Sequence, residues 1–162
     1  LTNTGIQMVS DTLVKIDEST QLLQILNLSD GKVIATINSK LLWPTKGTIT
    51  LNFGETSIYQ PLHTGIDIAG KLDEPVYAAL PGVVVYSGEQ SWGYGKHVII
   101  KHENGISTIY AHFNQIAVTQ GQQVNAGDYL GGQGKTGWAT GVHLHFEIRV
   151  LGIPTNPNSF FN

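Results

Sequence analysis

The chain has 162 residues and not one cysteine. That excludes a disulfide framework, an iron–sulfur cluster, a thiolate zinc site and a nucleophilic thiol. Charge is scarce as well. Asp, Glu, Lys and Arg supply 13% of the residues, against roughly 25% in an average domain. The net charge is −3. With no basic patch to displace counterions from phosphates, nucleic acid is not expected as the main partner. No apolar run approaches the ~18 residues that a membrane helix needs. Internal repeats and low-complexity tracts are missing. So are the Gly-x-Ser-x-Gly elbow of α/β hydrolases and the His-Glu-x-x-His of helical zinc proteases. The chain opens at Leu1 without Met or a signal segment, which reads as a trimmed or mature fragment whose address has been removed.

What is abundant is glycine, with 19 residues spread among β-branched and aromatic ones. This composition reads as a mainly β, antiparallel, turn-rich protein. Residues 1–40 hold no His. Their short runs Leu13–Ile16, Leu22–Leu28 and Lys32–Ile37, the last two joined through Ser29-Asp30-Gly31, predict a small β appendage with a hairpin. Helical spacing is confined to Ser10–Lys15. From Leu41 onward all six histidines appear. The predicted strands there are Ile66–Ala69, Val76–Ala79, Gly82–Tyr86, His97–His102, Ile106–Phe113, Tyr129–Gly131 and His143–Val150.

Three segments carry chemistry. In Gly141–Val150, period-two alternation puts His143, His145, Glu147 and Arg149 on one face. Leu144, Phe146, Ile148 and Val150 fall on the core face. In His63-Thr-Gly-Ile-Asp67, a separation of four puts His63 and Asp67 on one face of either a strand or a helix. Gly65 between them is expected to leave room for an ion or substrate. In Thr108–Phe113, the same alternation places Thr108, Tyr110 and His112 toward a site, with Ile109, Ala111 and Phe113 toward the core. A catalytic zinc takes three protein ligands and one open position. His63, Asp67 and one of His143 or His145 would supply two imidazoles and a carboxylate, leaving two histidines for proton transfer.

These residues resemble the LytM/lysostaphin-type zinc endopeptidases, which cleave peptide bonds in bacterial peptidoglycan. The matching pieces are His63–Asp67, Glu74–Val84, Gly95–His102, Thr108–Phe113, Gly121–Gly127 and Gly137–Ile148. The resemblance covers residues 41–162 and leaves 1–40 outside as a hairpin appendage or linker. It implies a sandwich-like antiparallel sheet forming the floor of a loop-walled groove. It implies one zinc ion per chain on His63, Asp67 and His145, with His112 and His143 as the catalytic pair. His143 would act as general base, and His112 would hydrogen-bond the attacking water or the developing oxyanion. Tyr110 is a candidate oxyanion donor. Glu147 either orients His145 or forms a surface pair with Arg149. Trp92, Tyr94 and Trp138, in Gly-rich loops, are candidate groove walls, while His97 and His102 read as structural. The partner implied is a peptidoglycan peptide outside the cytoplasm. The rival reading is an inactive or latent scaffold that binds regulatory partners; Asn3, Asn27 and Asn38 are the side chains in 1–40 that could plug the open position. A biotinyl-lipoyl type module, suggested by Val76–Val84 and Gly121–Leu130, lacks a convincing lysine at a hairpin tip.

Overall fold

The structure is a computed structural model that describes residues 12–17, 19–20, 22–27, 29–37 and 41–161. The regular structure of the described part is nearly all β-strand. Three strands come first: β1 (Thr12–Ile16), β2 (Leu23–Asn27) and β3 (Val33–Ile37), forming an antiparallel sheet in that order. Residues 12–15, where helical spacing was noted, are strand, and Ser10 and Asp11 lie outside the described residues. The β2–β3 turn uses Gly31 at φ 69°, the left-handed conformation that suits glycine at a tight hairpin.

The main sheet is built from β4 (Thr48–Leu51), β5 (Ile66–Ala69), β7 (Gly82–Glu89), β8 (Lys96–Lys101), β9 (Ile106–Ala111), β11 (Gln123–Val124), β13 (Leu144–Val150) and β14 (Ile153–Thr155). Its order is β11-β7-β8-β9-β13-β5-β4, with β14 paired to β13. A three-stranded sheet of β10 (Phe113–Ile116), β12 (Tyr129–Gln133) and β6 (Pro75–Tyr77) completes the body in the order β10-β12-β6. All pairings in these sheets are antiparallel, and among the described residues no barrel closes. Strands β4, β11 and β14 and the 3-10 turn Pro157–Phe160 carry no sequence pattern that called for them.

One apolar cluster joins the sheets. Ile66, Ile68, Val98, Ile100, Leu144, Phe146 and Ile148 of the main sheet pack with Val76, Phe113 and Leu130 of the smaller one. Ile25, Ala35 and Ile37 of the N-terminal sheet belong to the same cluster. Alternation along β13 delivers this: even-numbered residues face the core and odd-numbered ones the opposite face.

The expected strand Ile106–Phe113 is broken at His112, whose φ is 68°. A left-handed residue cannot continue a strand. It turns the chain out of the main sheet and into β10 of the smaller one. It also resets the side-chain phase, and this corrects the assignment of Tyr110. On β13, Phe146 pairs with Tyr110 and His145 with Ala111. Cross-strand partners share a face, so Tyr110 lies in the core and is fully buried. Its hydroxyl accepts from the Ala79 amide at 2.9 Å and from Thr108 Oγ1 at 2.9 Å. It cannot reach an oxyanion.

Candidate metal centre

The centre is assembled on one rung of the main sheet. Asp67 pairs with His145, His145 with Ala111, and Ala111 with His97. These side chains therefore share a face, and Ala111 leaves space beside His145. His63 precedes β5 and joins them. His63 Nε2, Asp67 Oδ1 and His145 Nδ1 form a nearly equilateral triangle, with edges of 3.0, 3.0 and 2.9 Å. Among the described residues this is the one group of three such side chains that could hold a metal ion.

The hydrogen bonds of the two imidazoles leave the triangle able to hold a cation. His63 Nδ1 donates to the Asn52 carbonyl at 3.1 Å, and His145 Nε2 donates to Glu147 Oε1 at 2.9 Å. Each neutral imidazole then has its proton on the far nitrogen. Two bare nitrogens and a carboxylate oxygen point their lone pairs at one point. With protons alone, His145 must carry a second one. Burial opposes its charge, but the bonds to Asp67 and Glu147 outweigh burial and raise its pKa to about 9. Burial raises the Asp67 carboxyl, yet its close contacts with His145 and His63 hold it far below the usual range.

Partners behind the ring fix His145. Glu147 is completely buried, so it is no surface partner of Arg149. Its Oε1 accepts from His145, from Thr64 Oγ1 and from the Tyr94 hydroxyl at 2.6 Å. Its Oε2 accepts from Arg149 Nε at 2.8 Å. Burial would raise Glu147, but these partners, His145 first, hold it at about 2. The Tyr94 hydroxyl also accepts from Arg149 at 3.1 Å. Burial beside Glu147 lifts its pKa well above the usual tyrosine value. Tyr94, expected only as a wall, thus braces the centre from behind. No spacing in the sequence carries that signal, because Tyr94 and Glu147 meet only in the fold.

Gly65 serves closeness and not room. A Cβ there would lie 2.2 Å from the Phe146 carbonyl oxygen and 2.9 Å from Glu147 Cγ. Its missing side chain lets the His63–Asp67 segment press against β13.

His112 and His143 flank the triangle. Their ring centroids are 4.8 Å apart, and His143 Nε2 lies 3.6 Å from Asp67 Oδ2. His112 Nδ1 donates to the Thr136 carbonyl at 2.7 Å, and His143 Nδ1 to the Gly141 carbonyl at 2.9 Å. Both rings are thus left with a bare Nε2 in the neutral state. Burial first, then the neighbouring imidazoles, push His112 down to about 3. His97 is packed between Tyr86 and Tyr94, and His102 bonds Pro81 and Thr108. Neither joins the centre. Asn27 caps its own turn through Ser29, while Asn3 and Asn38 lie outside the described residues.

A groove of about 730 Å³ opens over these residues, lined by His63, Asp67, His112, His143 and His145 on its floor. Trp92, Tyr94 and Trp138 line its sides, as do Ile58 and Tyr59, which no sequence motif marks. Tyr59 stacks on Trp138 with centroids 5.9 Å apart, and Trp92 lies 6.0 Å from Trp138. The two Trp loops lock through glycines. Gly95 and Gly137 stand at φ 62° and 72°, and a Cβ on Gly137 would lie 2.4 Å from the Gly95 amide nitrogen.

Residues 61–157, which span every one of the five floor residues, match Peptidase family M23. The chain belongs to that family. This M23 chain is 46% identical over 98 residues to the DD-carboxypeptidase/endopeptidase Mpg of Neisseria meningitidis, covering 60% of this chain and 22% of Mpg. It is 40% identical over 115 residues to the murein hydrolase activator NlpD of Salmonella typhimurium, covering 71% of this chain and 29% of NlpD. It thus spans under a third of either relative. Lysostaphin from Staphylococcus simulans has a similar structure, with a TM-score of 0.68 at 26% identity, over 78% of this chain and 55% of that one.

Proposed function

We propose that this M23 domain is a zinc-dependent endopeptidase that hydrolyses stem or cross-link peptides of bacterial peptidoglycan. The observation that carries the reading is the convergence of three lone pairs on one point. Tetrahedral zinc with bonds of about 2.0–2.1 Å would set its ligand atoms about 3.3 Å apart. The observed edges of 2.9–3.0 Å need only a slight spreading. His63, Asp67 and His145 would hold one zinc ion per chain. When bound, zinc supplies Lewis acidity that polarises a peptide carbonyl and acidifies water.

The chain's own groups do the rest. His143 Nε2 is the base that takes the proton of the attacking water and later returns it to the leaving amine. His112, held neutral by burial, accepts a hydrogen bond from that water through Nε2. Its tautomer, with the proton on Nδ1, suits this role better than donation to an oxyanion. Tyr94 and Glu147 hold His145 in place, and Trp92, Tyr94 and Trp138 line the substrate path. Residues 41–162 form the catalytic unit, and 1–40 an appendage. A peptidoglycan substrate places the domain outside the cytoplasm.

The test has two parts. Purified protein should hold close to one equivalent of zinc, removable by a chelator. Incubation with sacculi of several wall chemotypes should release soluble fragments whose masses identify the bond cut. The NlpD relative, named as an activator of murein hydrolases, supports a second reading: a domain that binds wall or protein partners without cutting. Zinc-loaded protein that releases no fragment from any chemotype would favour it.

A further inference from the structure

His112 belongs to neither sheet, although its neighbours do. Ala111 pairs with His145 and His97 in the main sheet, and Phe113 with Gln133 in the smaller one. At φ 68°, His112 holds a conformation that a side chain disfavours, and such a residue persists only where its surroundings fix it. Two groove loops do the fixing. The His112 amide donates to the Tyr94 carbonyl at 2.9 Å, and Nδ1 to the Thr136 carbonyl at 2.7 Å. Thr136 in turn grips the chain beside His112. Its hydroxyl donates to the Phe113 carbonyl at 2.7 Å and accepts from the Lys96 amide at 3.0 Å. A hydroxyl can do both at once. Phe113 is fully buried, which gives this clamp a rigid foothold. The loops also hold each other. The Trp138 amide donates to the Gly93 carbonyl at 2.8 Å, and a Cβ on Gly95 would lie 2.4 Å from the Thr136 carbonyl carbon.

We propose that Thr136 is a positioning residue for His112, its hydroxyl fixing the carbonyl that keeps the imidazole proton on Nδ1 and leaves Nε2 bare. The inference rests on the peptidase reading and deepens it, since there Nε2 accepts from the attacking water. A neutral imidazole without a fixed acceptor divides its proton between its two nitrogens. With the proton on Nε2, the ring can no longer accept from that water. Thr136 does not itself line the groove, so it acts through His112. Its loop carries Trp138, and Lys96 ends the loop that carries Trp92, so one clamp ties the tautomer to the walls of the substrate path.

Histidine labelled with heavy nitrogen reads the tautomer directly, because long-range proton–nitrogen correlation separates protonated from bare ring nitrogens. His112→Gln identifies the His112 signal by removing it. Thr136→Val deletes the hydroxyl at nearly constant shape, and Thr136→Ala is a second deletion read in the same way. Each should keep the zinc content of the parent while His112 passes from one tautomer to a mixture. On sacculi, kcat should fall about 10–100-fold with KM unchanged. Thr136→Ser, which keeps the hydroxyl, should restore the single tautomer and most of kcat. A single tautomer in both deletions, loss of zinc, an unchanged kcat against an active parent, or no rescue by serine overturns the proposal. A mixed tautomer that serine repairs, in a chain whose parent cuts no wall, upholds the clamp and removes the peptidase reading instead.

Discussion

The position of each proton decides what each histidine can do. His63 and His145 hand theirs to Asn52 and Glu147 and turn bare nitrogens toward Asp67. His112 and His143 hand theirs to backbone carbonyls and keep bare nitrogens beside the triangle. His145→Ala should therefore lose metal and turnover together, measured as zinc equivalents and fragment release. His143→Ala and His112→Ala should keep the metal and lose roughly 10²–10⁴-fold in rate, the usual worth of a positioned proton acceptor. An empty site in His112→Ala would overturn the ligand set. Tyr94→Phe removes one hydroxyl from the brace behind His145, and zinc affinity should fall about 10–100-fold by competition with a chelating dye. Tyr110→Phe should behave in the opposite way. It leaves the buried Ala79 amide without its acceptor, costing about 1–3 kcal/mol in urea denaturation, with zinc content unchanged.

At the scale of elements, strand periodicity made most of the floor legible. The alternation His143–His145–Glu147–Arg149 needs only period two, and β13 obeys it because its even face is wholly apolar. The same rule misplaced Tyr110. It assumes an unbroken strand, and His112 at φ 68° breaks it, a backbone choice that no side-chain pattern announces. The role of Gly65 was inverted for a related reason. Sequence shows that a side chain is missing, but not which neighbour approaches. Short strands such as β4 and β14 are illegible because four and three residues are too few to display a period. Ile58 and Tyr59 were passed over because they lie outside any regular element. The Gly65 contact yields a prediction. Gly65→Ala drives a methyl into the Phe146 carbonyl, so it should destabilise the fold by more than the ~1 kcal/mol of an average substitution and weaken zinc binding. An alanine variant at this position as stable as the parent would contradict the packing.

For the whole molecule, protons and a cation compete for one lone pair. Without metal, His145 titrates near 9 in the folded chain and near 6.5 when unfolded. The raised value contributes stability that is complete below about pH 6.5 and is lost as pH rises through about 9. Metal binding runs the other way, since the proton must leave first. The drop in urea midpoint caused by a chelator should thus be larger at pH 9 than at pH 6. A larger drop at pH 6 would contradict the triangle.

Asp67 and His145 sit 78 residues apart in the chain and become neighbours only when β5 zips onto β13. On the proposed reading, an unfolded chain offers the cation no assembled set of three ligands. The ion would then act as a latch set after the ladder closes, slowing opening without hastening closure.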